Sequence, residues 1–292
     1  MFEGSCVAIV TPFKNDSVDF DTIKKLVDFH IANSTSWILP CGTTGESATL
    51  SHEEHEAVIE AVVKAAKGKI KVVAGTGSNN TAESVRLTKF AEKIGADAAL
   101  LISPYYNKPT QAGLRAHFKA VASAVKFPIM LYNIQSRTGV NIEPETVEAI
   151  VADNSNVVGI KEASGSLEQM SKIKMLSGRL ELLSGDDALT LPVLSIGGVG
   201  VVSVAANIIP ADTAALVKSF LAGDVKKARE IHYKMFPLVK SLFIETNPIP
   251  VKTAMEMMGL CGGSLRLPMT PMSDANREKL KKAVSDYGLV RG

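Results

Sequence analysis

Cysteine is scarce in this 292-residue chain, which carries three: Cys6, Cys41 and Cys261, odd in number and far apart. That excludes a disulfide framework or a CxxC zinc pattern and makes a reducing cytosol the natural compartment. An excess of charge is lacking too. The net charge of +2 implies no strong attraction to nucleic acid or to an anionic membrane. The N-terminus has no basic n-region or cleavage site and starts on a strand-like run, so the expectation is a cytoplasmic protein. No linker, low-complexity run or internal sequence repeat interrupts the chain. One stretch, residues 188–211, lacks charge altogether and is long enough to span a bilayer. It holds Pro192, Gly197, Gly198, Gly200 and Asn207, so a buried helix, a glycine turn and a buried strand explain it better than a membrane span.

What is present is an apolar fraction of 46% and a charged fraction of 21%, those of a soluble globular protein. The length fits one large α/β barrel or two ordinary domains. Eight short apolar runs read as buried strands: residues 6–10, 37–40, 70–74, 98–103, 128–132, 157–161, 180–184 and 200–204. They are apolar rather than alternating, as strands covered on both faces are. Helical stretches lie between them. Ser51 with Glu54, and Asn80 with Glu83, have capping-box spacing, and Pro144 suits a first helical position. Eight strand–helix repeats predict a (β/α)₈ TIM barrel over residues 1–224, with an open doubly wound sheet as the alternative. The remainder, 225–292, reads as a C-terminal helical appendage. Helices are expected at 211–221, 225–244, 251–258 and 273–287.

In such a barrel the chemistry sits at the C-terminal ends of the strands. The sixth run, Val157-Val158-Gly159-Ile160-Lys161, carries a lysine to the end of a core element. By alternation Lys161 shares a face with Gly159 and Val157, and Gly159 leaves room beside its stem. Burial disfavours an ammonium, and the free amine is a nucleophile toward carbonyl carbon. A lysine snorkelling into water is the bland alternative. The second strand ends in Cys41-Gly42-Thr43-Thr44-Gly45-Glu46-Ser47, a loop able to offer N–H groups and two hydroxyls to a carboxylate. The fourth leads to Tyr105 and Tyr106, and the fifth to Tyr132 and, beyond it, Arg137. Tyrosine hydroxyls can relay protons, and an arginine at the rim suits a carboxylate. Gly75-Thr76-Gly77-Ser78-Asn79-Asn80 starts like a dinucleotide fingerprint but lacks its third glycine. His52 and His55 lie three apart on one helix, but the run is His-Glu-Glu-His and a third ligand is not evident, so a metal is disfavoured.

Taken together, Gly42-Thr43-Thr44-Gly45-Glu46-Ser47, Tyr105-Tyr106, Tyr132-Asn133-Ile134-Gln135-Ser136-Arg137-Thr138-Gly139 and Gly159-Ile160-Lys161-Glu162-Ala163 resemble the dihydrodipicolinate synthase family. The likeness extends through Asn247-Pro248-Ile249-Pro250-Val251-Lys252 and Leu265-Arg266-Leu267-Pro268-Met269. Gln135 departs from it, standing where the family usually has proline. The resemblance implies a lyase that joins pyruvate to L-aspartate 4-semialdehyde through an imine on Lys161, without metal or organic cofactor. It implies a proton relay through Tyr132, Thr44 and a Tyr106 reaching in from a neighbouring subunit. Thr43 and Thr44 would hold the pyruvate carboxylate and Arg137 the semialdehyde carboxylate, with Gly185 and Val202 lining the pocket. It further implies an L-lysine inhibitor site of Ser47, Ala48, His52, His55, Asn79, Glu83 and Tyr105, and a homotetramer built as a dimer of dimers. A sugar-acid lyase sharing the Lys161 chemistry, a metal-dependent barrel using His52 and His55, and a non-catalytic binding barrel are the competing readings. Arg137 favours an amino-acid carboxylate over the sugar acid.

Overall fold

The computed structural model describes residues 1–290. Eight strands run parallel and close on themselves. They are β1 (Gly4–Ala8), β2 (Trp37–Leu39), β3 (Lys71–Gly75), β4 (Ala98–Ile102), β5 (Ile129–Asn133), β6 (Val157–Glu162), β7 (Glu181–Ser184) and β8 (Gly200–Ser203). Each pairs with its sequence neighbour, and β1 pairs with both β2 and β8, which seals the barrel. The alternative of an open sheet is thereby excluded. Every predicted strand is present; the first begins two residues earlier than expected, at Gly4. The uncharged stretch 188–211 is a short helix, a glycine turn and β8. No helix among the described residues is long and apolar enough to cross a membrane.

Helices α1 (Phe20–Ala32), α2 (His52–Ala66), α3 (Thr81–Lys93), α4 (Gln111–Ala122), α5 (Pro144–Asp153), α6 (Leu167–Leu176), α7 (Thr190–Ser195) and α8 (Pro210–Leu221) alternate with the strands. Three more follow: α9 (Val225–Ser241), α10 (Ile249–Met257) and α11 (Asp274–Asp286). The local signals work as chemistry predicts. Ser51 Oγ accepts from Glu54 N while the Glu54 carboxylate accepts from Ser51 N, a complete capping box. Pro144 opens α5, where its missing N–H costs nothing. The second expected box is only half formed. Asn80 caps α3, but Glu83 turns away to Ser78 and His52.

Apolar side chains fill two kinds of space. Outside the barrel, one cluster packs β4–β7 against α4, α5 and α6, and a larger one joins β1–β3 to α1, α2 and all three C-terminal helices. Inside, Phe2, Cys6, Trp37, Leu100, Met130, Tyr132, Leu183 and Val202 form the barrel's own core. Phe2 and Trp37 meet with ring centroids 5.1 Å apart and planes tilted by 51°.

Candidate active site

Lys161 sits next to the end of β6, opposite Tyr132 on β5. Its side chain is 7% exposed, and its ammonium lies over the Tyr132 ring, 3.9 Å from the centroid. It is in no ion pair among the described residues, unlike the other buried lysine, Lys252. Cys6, facing it from β1, is no rival nucleophile. Burial pushes its thiol up to about 12, with the Lys161 charge opposing only in part. Two details of the sequence reading need correction. The β5–β6 pairing skips Val158, with Ile129 opposite Val157 and Met130 opposite Gly159. That irregularity turns Val157 to the outer cluster, away from the face of Lys161. The space at Gly159 belongs to the Phe2 ring, 2.7 Å from where a Cβ would stand. The glycine beside the lysine stem is Gly185, where a Cβ would stand 3.2 Å from Lys161 Cε and 2.7 Å from Ala163 Cβ.

On the outer face the next residues along, Asn133 and Glu162, also stand opposite one another. Glu162, fully buried, accepts from Asn133 Nδ2 at 3.0 Å, Ser164 N at 2.7 Å and Gln169 Nε2 at 3.2 Å. Its lone pairs are met by neutral donors, which is how a buried carboxylate is tolerated without a cation.

The loop after β2 folds into tight turns. Gly45 N and Ser47 N donate to Gly42 O, and Glu46 N donates to Thr43 O. Those donors are therefore spent inside the loop. The backbone N–H groups of Thr43 and Thr44, like those of Cys41 and Gly42, form no bond among the described residues and are free to meet a carboxylate. Thr44 is buried, and its Oγ1 accepts from Asn247 Nδ2 at 3.0 Å. Asn247 O in turn accepts from Arg137 Nη2 at 3.4 Å. Arg137 stands exposed on a one-turn helix, Gln135–Thr138, closed by Gly139 in the left-handed region at φ 72°. Gln135 takes the first helical position there.

Lys161, Tyr132 and Gly185 thus come together, and Thr44 and Arg137 are tied through Asn247. Val202, 1% exposed, packs in the same interior core as Tyr132. Tyr106 does not join them. It is 90% exposed at φ 70°, the most exposed large apolar side chain of the described residues.

A cavity of about 330 Å³ runs from Thr43, Tyr132 and Arg137 to Ser47, Ala48, His55, Glu83 and Tyr105. It thus joins part of each expected site: Lys161, Thr44, Gly185 and Val202 of the first, and His52 and Asn79 of the second, are not among its lining residues. Glu83 is held by Ser78 Oγ at 2.5 Å and paired with His52 Nδ1 at 3.2 Å. Asn79 Nδ2 donates to Tyr105 O at 3.2 Å, and Asn107 Nδ2 to Asn79 O at 3.0 Å. His55 is less free than its helix spacing suggests. Its Nε2 bonds Gly75 O at 2.8 Å, and burial holds its pKa below the ordinary imidazole range. Among the described residues no three His, Cys, Asp or Glu side chains are grouped to hold a metal. Sequence reasoning missed three partners: Asn247, the Glu46–Lys252 pair and the Glu162 network. A lysine inside the apolar run of α10 was the available signal for the second.

The model of the dihydrodipicolinate synthetase family matches residues 1–287. A relative from Endomicrobium trichonymphae, a 4-hydroxy-tetrahydrodipicolinate synthase, is 56% identical over 291 residues, covering 100% of both chains. The crystal structure of dihydrodipicolinate synthase from Aquifex aeolicus superposes with a TM-score of 0.98 at 50% identity, covering 100% of both chains. That of DHDPS from Cyanidioschyzon merolae with lysine bound superposes with a TM-score of 0.96 at 42% identity, covering 99% of both. With a match of this length and identity, the chain belongs to the dihydrodipicolinate synthetase family.

Proposed function

We propose that this chain is a cytoplasmic lyase of diaminopimelate and lysine biosynthesis. It condenses pyruvate with L-aspartate 4-semialdehyde to 4-hydroxy-tetrahydrodipicolinate. The observation that carries the reading is Lys161, a buried amine without an acid partner, at the catalytic end of a barrel strand and against a tyrosine ring. Its Nζ attacks the pyruvate carbonyl, and water leaves to give an iminium. The iminium draws electrons from the adjacent methyl, which loses a proton to yield an enamine. The enamine carbon bonds to the semialdehyde carbon. The substrate's amine then adds to the imine carbon, closing the ring and releasing Lys161. Tyr132 passes protons at this centre with Thr44 and with Tyr106 from a second copy of the chain. Thr43 and Thr44 hold the pyruvate carboxylate, Arg137 holds that of the semialdehyde, and Gly185 and Val202 shape the pocket.

Exposure of Tyr106 on the single chain supports a homotetramer, a dimer of dimers, in which it enters a neighbour's site. The barrel of residues 1–224 carries the chemistry, and 225–292 is its helical appendage. L-Lysine is a feedback inhibitor held by Ser47, Ala48, His52, His55, Asn79, Glu83 and Tyr105. In support, the Glu83 carboxylate lies in the cavity that Tyr132 also lines. The test is an assay of the purified protein with pyruvate and aspartate semialdehyde, beside N-acetylneuraminate and 2-keto-3-deoxygluconate. Turnover with the semialdehyde alone is expected; preferential cleavage of either sugar acid overturns the assignment. Millimolar L-lysine should lower the initial rate, and an unchanged rate removes the inhibitor site.

A further inference from the structure

We infer that Lys252 and Glu46 are positioning residues for the loop that receives the keto-acid carboxylate, an inference that rests on the role given above to Thr43 and Thr44. Glu46 lies between those threonines and Ser47. It adopts φ 52°, in the left-handed region that residues with a Cβ seldom occupy. Such a conformation persists only where the surroundings impose it. They do so here through its side chain. Glu46 Oε1 accepts from Lys252 Nζ at 2.6 Å, and Oε2 accepts from Arg266 N at 3.1 Å. Lys252 is fully buried in α10 and is itself fixed on a second side, donating to Thr11 O at 2.9 Å. Thr11 Oγ1 then donates to Gly45 O at 2.6 Å. Thr11 and Lys252 thus hold two consecutive residues of the loop, Gly45 and Glu46.

The same stretch of chain reaches the loop again. Asn247, just before α10, donates to Thr44 Oγ1 and accepts from Arg137. Residues 247–252 therefore touch the carboxylate loop at two points and the rim arginine at a third. A buried ion pair contributes little net stability compared with an apolar pair of like size, because both charges must leave water. Its use here is geometric: it sets where the free N–H groups of Thr43 and Thr44 point.

The test compares Lys252→Met, Glu46→Gln and the double variant in three readouts. These are thermal midpoint, the pyruvate concentration giving half-maximal borohydride trapping on Lys161, and KM for the semialdehyde. Lys252→Met should lower the midpoint and raise half-maximal trapping at least tenfold, with semialdehyde KM within about threefold. The double variant leaves no unpaired buried charge, so its midpoint should recover while the trapping defect stays. Recovery of both, or a Lys252→Met protein that is less stable but takes pyruvate normally, overturns the inference. Should Lys252→Met not fold, Glu46→Gln and the double variant decide it by the same two readouts. Absence of trapping in the unaltered protein would instead refute the Lys161 assignment itself.

Discussion

Two lysines are buried among the described residues, and their surroundings suit them to opposite work. Lys252 is bound on all sides by Glu46, Thr11 and the Phe13 ring; burial pulls its ammonium below the ordinary lysine range while Glu46 holds it up. Lys161 has an aromatic face and a glycine beside it and no acid partner. A side chain so placed can leave its resting position to form a covalent bond. Lys161→Arg keeps the charge but replaces the amine with a guanidinium that stays protonated. Borohydride should then trap no pyruvate on the protein, by intact mass; undiminished trapping would put the imine on another lysine. Tyr132→Phe keeps the ring beneath the amine and removes only the hydroxyl. Turnover should fall by roughly two or more powers of ten, the scale of general acid–base help, with an unchanged thermal midpoint. A near-normal rate would take Tyr132 out of the proton path.

Among the elements, the one-turn helix Gln135–Thr138 is the shortest α-helix of the described residues and carries the rim arginine. Gln135 in place of proline does not unmake it, since Thr138 N still bonds Ile134 O and Gly139 N bonds Gln135 O. The first helical position has no partner for its N–H, so glutamine and proline differ there mainly in the freedom of the unfolded chain. Ile134, at φ −151° and ψ 80°, already avoids the helical region that a following proline forbids. Gln135→Pro should therefore stabilise by about 0.5 kcal/mol, read as a higher denaturant midpoint, with KM for the semialdehyde unchanged. A lower midpoint would show that the turn depends on glutamine. The elements most legible from sequence were those with long signals: apolar runs for the eight strands, and caps for α2 and α5. The hairpin Phe13–Lys14 with Ser17–Val18 was not, because two-residue strands carry no period. Nor was the diversion of Glu83 from its cap, since what it prefers, Ser78 and His52, becomes adjacent only in the fold. The proposed catalytic groups could be listed by strand end. The ion pair beneath them joins residues 206 apart, which no local pattern announces.

For the molecule as a whole, barrel and C-terminal helices share one apolar core, from Val7 and Leu26 to Leu238, Val251 and Leu280, so disruption in one part is felt in the other. Histidines wedged into this body make its stability depend on pH. His30, at the end of α1, is fully buried; Thr35 meets its Nδ1 while its Nε2 has no partner, and burial lowers its pKa to about 3. His117, on α4, is alike: Thr81 of α3 meets Nδ1, Nε2 is unpartnered, and burial lowers it to about 4. Burial lowers His55 and His232 as well. The folded chain thus keeps the His30 and His117 rings neutral, while the unfolded chain takes up protons once the pH drops below about 6.5. Stability is complete above that value and is lost as pH falls toward the folded pKa values, by roughly 1.4 kcal/mol per unit for each ring protonated only when unfolded. Half-buried carboxylates such as Glu54 and Glu245, held below their usual range by hydrogen bonds, add a loss of the same sign, but at lower pH. The window from pH 6.5 to 5 therefore reports the histidines. The thermal midpoint should hold steady from pH 8 to 7 and drop across that window, and His30→Phe with His117→Phe should make the drop shallower. A midpoint constant down to pH 5 in the unaltered protein would mean that the buried rings are protonated in the folded state as readily as in the unfolded one.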